Sequence, residues 1–233
     1  MDKITRHDLK TDKFAQEVGH TVEFLSEHRR QTILYGGAAA VVLALAVGGY
    51  FFLRHQKDVR QAELRQATEI YDATVGPAPP DNPYLKTFPT QAEKDLAVQK
   101  AFLDLASKRA GTDEGAVARY YAGIIAADQG RILEAEKAFQ EVAQTGDQNY
   151  SSLAKYSLAQ IYQSQGKAAQ SEQLLRSLME KPTLMVSKEQ ATIALARVLA
   201  PGKPAEARKL LEPLRTERSA VSRAALTALA EIK

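Results

Sequence analysis

The side chains that most often do chemistry are scarce in this sequence. It holds four histidines, His7, His20, His28 and His55, and no cysteine in 233 residues. Histidine is the commonest general base near neutral pH and the commonest metal ligand. These four show no metal-ligand spacing, and none lies beyond His55. The missing cysteines exclude disulfides, thiolate metal sites and a lipid-modified N-terminal cysteine, and they fit either redox compartment. There is no G-x-x-x-x-G-K phosphate loop, no H-E-x-x-H, and no serine, histidine and aspartate around a nucleophile elbow. The net charge of +3 is spread over mixed signs, so no basic stripe points to nucleic acid. Asn149-Tyr150-Ser151 has the form of a glycosylation acceptor, a tripeptide that often arises by chance. The sequence therefore points away from an enzyme, a cofactor, a metal and a small-molecule substrate. What it has to position is binding surface.

The first element that could do so is the apolar run over residues 32–53. Its 22 residues include no Asp, Glu, Lys, Arg or His. A helix of that length spans roughly 33 Å, against a hydrocarbon core of about 30 Å. Ile33, Leu34, Val41, Val42, Leu43, Leu45, Val47, Phe51, Phe52 and Leu53 favour insertion by about 3–6 kcal/mol together. Tyr35 and Tyr50 suit the headgroup zones, and Arg29, Arg30 and Arg54 bracket the run. A buried core helix is the alternative, but soluble ones of this purity are rare. A cleavable signal peptide has a shorter apolar region and a shorter preceding tail. Ala44-Leu45-Ala46 has the small-x-small form of a cleavage site, yet cutting there would leave residues 47–53 as an exposed apolar end. The expected element is an uncleaved transmembrane anchor. Gly36, Ala40, Ala44 and Gly48 fall four apart and line one face with small residues, a candidate contact for another membrane helix. Lys13, Arg29 and Arg30 before the run stand against Arg54, Lys57, Arg60 and Arg65 after it, so charge alone sets no orientation.

Residues 1–31 form a tail in which Phe14, Val18, Val22 and Leu25 repeat at helical spacing. After the anchor, a polar helical pattern carries an apolar stripe of Leu64, Ala67, Ile70, Tyr71 and Val75. Pro77, Pro79, Pro80, Pro83 and Pro89 then predict a stiff extended loop. With the juxtamembrane helix this loop fills residues 54–90. Helical periodicity resumes at Gln91 with Ala92, Leu96, Phe102, Leu103 and Ala106, and Gly111 to Gly115 end that helix.

From there the chain repeats itself. Gly130, Gly166 and Gly202 are spaced by 36 residues. Five positions on stand Ala135, Ser171 and Ala207; nine on, Phe139, Leu175 and Leu211; twelve on, Val142, Leu178 and Leu214. A glycine between two helices accepts the left-handed backbone that ends the first, and a small residue early in the second lets the two backbones approach. A large residue one turn later fills the space between neighbouring pairs. Over residues 116–215 this pattern resembles the tetratricopeptide repeat family, with a degenerate unit at 58–110 and a capping helix over Ser219 to Ile232. The resemblance implies an all-α fold: one N-terminal transmembrane helix followed by a tetratricopeptide-like α-solenoid of helix pairs over residues 91–233. Two departures stand out. Arg119, Lys155 and Ala191 occupy the family's aromatic position, and Pro213 should shorten or kink the last second helix.

The resemblance also implies a groove lined by the first helix of each pair. In register, that groove carries Arg119, Ala122, Ala126 and Gln129, then Lys155, Leu158, Tyr162 and Gln165, then Ala194 and Val198. Leu158 and Tyr162 would hold an apolar side chain, and Arg119 and Lys155 would meet a carboxylate. The full layout further resembles a bacterial family of small bitopic proteins that includes the ancillary subunit of the Sec translocon. That resemblance implies a single-pass protein of the bacterial inner membrane with a cytoplasmic N-terminus and a periplasmic repeat domain. Its expected partners are proteins: translocon subunits, periplasmic chaperones or exported chains. A structural scaffold for a cell-envelope assembly, in cell-wall synthesis or division, is the alternative.

Overall fold

An uninterrupted apolar run followed by good helix formers gives one long helix, α1, at Arg29–Asp72. The structure, a computed structural model, describes residues 29–77, 86–216 and 220–232. The chain forms two units, Met1–Val59 and Arg60–Lys233. The expected helical face of Phe14, Val18, Val22 and Leu25 lies outside the described residues, as do Pro79, Pro80, Pro83 and Ser219.

In the first unit, the apolar part of α1 is long and apolar enough to cross a membrane, with a mean hydropathy of 2.0. All ten of its large aliphatic and phenylalanine side chains are exposed, from Val47 at 48% to Leu45 at 71%. A core helix would be covered by its own chain, and among the described residues nothing covers this one.

The second unit begins with the polar end of α1. Leu64, Ala67 and Ile70 pack there with Val98, Phe102 and Leu105 of α2 (Gln91–Lys108) and with Ala118, Ala122 and Ile125 of α3 (Asp113–Asp128). The helix stops at Asp72. Val75, expected on its apolar stripe, instead lies in a short strand, β1 (Thr74–Val75), paired in parallel with β2 (Thr87–Phe88). Two β-branched residues before Gly76-Pro77 favour extended backbone. The Gly76 N–H extends the pairing by donating to the Phe88 carbonyl at 2.9 Å. Thr90 then caps α2 by accepting from the Glu93 N–H at 3.2 Å.

The remaining helices are α4 (Ile132–Thr145), α5 (Gln148–Ser164), α6 (Ala168–Glu180), α7 (Lys188–Leu199), α8 (Pro204–Leu211) and α9 (Ala220–Glu231). Each of α2 to α8 packs on the next, as a stack of helix pairs requires. The spaced residues take their expected places. Ala135, Ser171 and Ala207 are fully buried, and Phe139, Leu175 and Leu211 sit at 1% exposure or less. A Cβ on Gly123 would lie 2.8 Å from the Phe139 ring, so the first crossing needs the missing side chain. In the second pair the Ser171 hydroxyl donates to the Ala159 carbonyl at 2.7 Å, which satisfies a buried polar group at the same crossing.

Two turns repeat atom for atom. Gly130 and Gly166 both have φ +74°, and Arg131 and Lys167 donate to Ala126 and Tyr162 at 2.8 Å. The third turn departs from the expectation: Gly202 is not left-handed. Instead, Gly202 and Lys203 both donate to the Leu199 carbonyl, at 3.1 and 2.7 Å. Pro204 starts α8, and Pro213 ends it early, passing the chain into a 3₁₀ turn at Glu212–Thr216. Helix α9 closes the stack over α7 and α8 with Ala225, Ala228 and Ile232 buried.

These turns separate three similar-looking glycines. Gly130→Ala and Gly166→Ala should each lower unfolding free energy by about 1–2 kcal/mol, because each forces a Cβ into the left-handed region. Gly202→Ala should be close to neutral in the same urea titration. Ala135→Trp should cost about 1–3 kcal/mol by overpacking the first crossing.

Candidate functional site

Within the second unit, two ion-pair groups hold the end of α1 against the α2–α3 turn. Glu63 accepts from Arg109 at 2.6 and 2.8 Å and from Lys108 at 2.8 Å. Arg60 meets the buried Glu114 at 3.0 Å. The turn itself is tight: a Cβ on Gly115 would lie 1.9 Å from the Arg109 carbonyl oxygen. The Arg109 and Lys108 hydrogen bonds hold the Glu63 carboxyl down at about 2, against an ordinary 4.5.

Beside this clamp, a row of aromatic rings runs across α1 to α5. Tyr71 of α1 lies 5.5 Å from Tyr121 of α3, and Phe102 stacks on Tyr121 at 4.8 Å. Tyr120 continues the row to Phe139 at 5.5 Å and to Tyr150 of α5 at 5.7 Å. Burial raises the pKa of Tyr121, and the neighbouring Tyr71, Tyr120 and Asp72 raise it further. Burial likewise raises Tyr150, with Tyr121, Asp147 and Tyr120 adding to it. The sequence carried a signal for this row. The aromatic missing at Arg119 and Lys155 stands one position later, as Tyr120 and Tyr156, and both pack against the core.

The expected groove residues divide among several surfaces. Arg119 pairs with Glu141 at 3.1 Å. It lines a cleft of about 290 Å³ between α2 and α4, floored by Ala122 and Ala126 with Leu103 and Ala138. Gln129 is exposed, accepts from the Arg131 guanidinium at 2.6 and 3.1 Å, and lines a separate cleft at the end of α3. Lys155 lines a third, with Ser151, Ser177 and Thr183. Tyr162 accepts from Gln140 at 3.1 Å, with the Lys167 ammonium 5.3 Å from its ring centre, and Gln165 donates to Glu136 at 3.1 Å. Ala194 packs half-buried against the C-terminal core. Leu158 and Val198, at 4% and 9% exposure, are core residues and not groove lining, so Leu158 cannot hold the apolar side chain expected of it. Gly36, Ala40, Ala44 and Gly48 of α1 are all exposed, with open space where a Cβ on either glycine would stand. Among the described residues, no three His, Asp or Glu side chains gather in a way that could hold a metal ion.

A family model described as a tetratricopeptide repeat-like domain matches residues 33–209. The match begins within the apolar run and ends inside α8. No curated protein and no solved structure matches the chain.

The Glu63 clamp makes stability depend on pH with a definite sign. Folding lowers this pKa, so its contribution is complete above about pH 4.5 and is lost as pH falls toward 2. Both partners are partly solvated, and screening reduces the contribution to about 1 kcal/mol. Glu63→Gln should lower stability by that amount at neutral pH. Its urea midpoint should also fall less than the parent's between pH 4.5 and 2.

Proposed function

The chain belongs to the tetratricopeptide repeat-like domain family, and on that premise we propose that it is a membrane-anchored adaptor for protein–protein interaction. The observation that carries this reading is the extent of the family match. It takes in both the apolar part of α1 and the repeat helices, so anchor and binding module go together. The uncovered apolar surface of α1 supports insertion, since an aqueous helix exposing ten large apolar side chains would aggregate. Repeat stacks of this type present extended surfaces to protein partners and carry no chemistry of their own.

At finer grain, we assign the partners by the resemblance to small bitopic envelope proteins. The N-terminus faces the bacterial cytoplasm and the repeat domain the periplasm. The domain links the Sec translocon to periplasmic chaperones or exported chains. The small-residue face of Gly36, Ala40, Ala44 and Gly48 is the part that meets a neighbouring membrane helix.

Two experiments test this reading. Alkaline phosphatase fused after Lys233 should be active, and an inactive fusion would overturn the topology. A photocrosslinker at Ala40 or Ala44 should capture translocon subunits in intact membranes. Capture only of a second copy or of envelope synthases would instead favour a scaffold for cell-wall synthesis or division.

A further inference from the structure

The end of α1, the first turns of α2 and the end of α3 enclose a cleft of about 410 Å³ that no role described so far uses. Val98 and Ile125 give it an apolar floor. Tyr71 forms one wall at 40% exposure, held edge-on by Phe102 and Tyr121, so that the rest of its ring faces the opening. Asp95 and Asp128 stand on the rim. Asp95 accepts one hydrogen bond, from the Gln91 amide at 2.7 Å. Among the described residues neither aspartate has a cationic partner, so both charges stay available at the rim. Asp72 follows Tyr71 and lies near enough for its charge to bear on the Tyr121 hydroxyl. Among the described residues, Lys94 is the one cation lining the cleft. The C-terminal ends of α1 and α3 add the negative poles of two helices, against the one positive pole at the start of α2. The opening is thus apolar below, aromatic at one side and in net deficit of positive charge.

We propose that this cleft is a docking site for an arginine side chain on an extended basic polypeptide segment. A guanidinium is planar and weakly hydrated, stacks on an aromatic face, and bonds a carboxylate through two parallel N–H groups. Its methylene stem covers the apolar floor while its head stays at the rim. A lysine ammonium is a point charge with stronger hydration and matches the tyrosine wall less well. The inference rests on the repeat domain being a binding module and does not depend on the direction of the anchor. It adds the chemistry of the partner.

The test uses the full chain in detergent micelles and a fluorescein-labelled Gly-Ser peptide bearing two arginines. The same peptide with citrulline in both places keeps the shape and removes the charge. By fluorescence anisotropy the arginine peptide should bind about tenfold more tightly than the citrulline one, and the advantage should shrink in high salt. The double variant Asp95→Asn, Asp128→Asn should lose the advantage with unchanged circular dichroism. Tyr71→Leu should weaken binding, while Tyr71→Phe keeps it. A photocrosslinker at Gln129 should label the arginine peptide, and one at the distant, exposed Leu184 should not. Equal binding of the two peptides, or an advantage that survives in the double variant, would sink the proposal. If that happens while the crosslinkers at Ala40 and Ala44 still capture translocon subunits, the cleft assignment falls and the adaptor reading stands.

Discussion

The close crossing inside each helix pair is the contact on which the repeat domain depends. Gly123 has no side chain because the Phe139 ring occupies the space a Cβ would need. Ala135, Ser171 and Ala207 are fully buried because any larger side chain would push two helices apart. Once the backbones are that close, Phe139, Leu175 and Leu211 fill the layers between pairs. A pair packed this way still has apolar surface on both outer sides, so the stack needs an end piece at each limit. Leu64, Ala67 and Ile70 of α1 supply one, and Ala225, Ala228 and Ile232 supply the other.

This dependence explains which parts of the fold were legible in the sequence. Packing at a crossing constrains residue size at a fixed offset from the turn, so the 36-residue repeat announced the helix pairs and the buried positions. Pro213 announced the early end of α8 for an equally local reason, the loss of a backbone donor. Val75 was misread because its pairing with Phe88 joins separate stretches of chain and leaves no periodic trace. Gly202 was misread because the spacing recorded only its residue type. Pro201 restrains the backbone just before it, and the Leu199 carbonyl takes both following N–H groups, so this turn closes without a left-handed residue.

The surface was less legible than the core. Register alone put Arg119, Leu158 and Val198 on one open face, but register says which side of a helix a residue occupies and not what covers that side. Leu158 is covered within the core it shares with the preceding pair, and Val198 within the C-terminal core. Arg119 is engaged by Glu141. The row from Tyr71 to Tyr150 joins residues far apart in the chain: the shifted aromatic at Tyr120 was its one trace in the repeat, and nothing local tied it to Tyr71 or Tyr150. Charge on the surface has the same property: Asp95 and Asp128 sit on different helices and become one feature only when α2 and α3 pack.

The three clefts lined by Arg119, Gln129 and Lys155 are small, at about 290 to 410 Å³, and none of the three is a deep apolar pocket. Each alone would hold a side chain and not a folded partner, which sets a low ceiling on the affinity of any one of them. An anchor changes what that affinity has to achieve. On the proposed reading, tethering the module to a membrane that also holds its partner makes the second contact effectively intramolecular, and the effective concentration supplies what a single cleft lacks. Under that condition a weak, charge-selective contact is well suited to an adaptor. It recognises its segment by electrostatic complementarity, which favours fast association, and it releases the segment readily because little apolar surface is buried. On the proposed reading, the exposed apolar part of α1 and the modest clefts of the repeat domain serve one purpose: strong attachment at the membrane permits gentle attachment at the clefts.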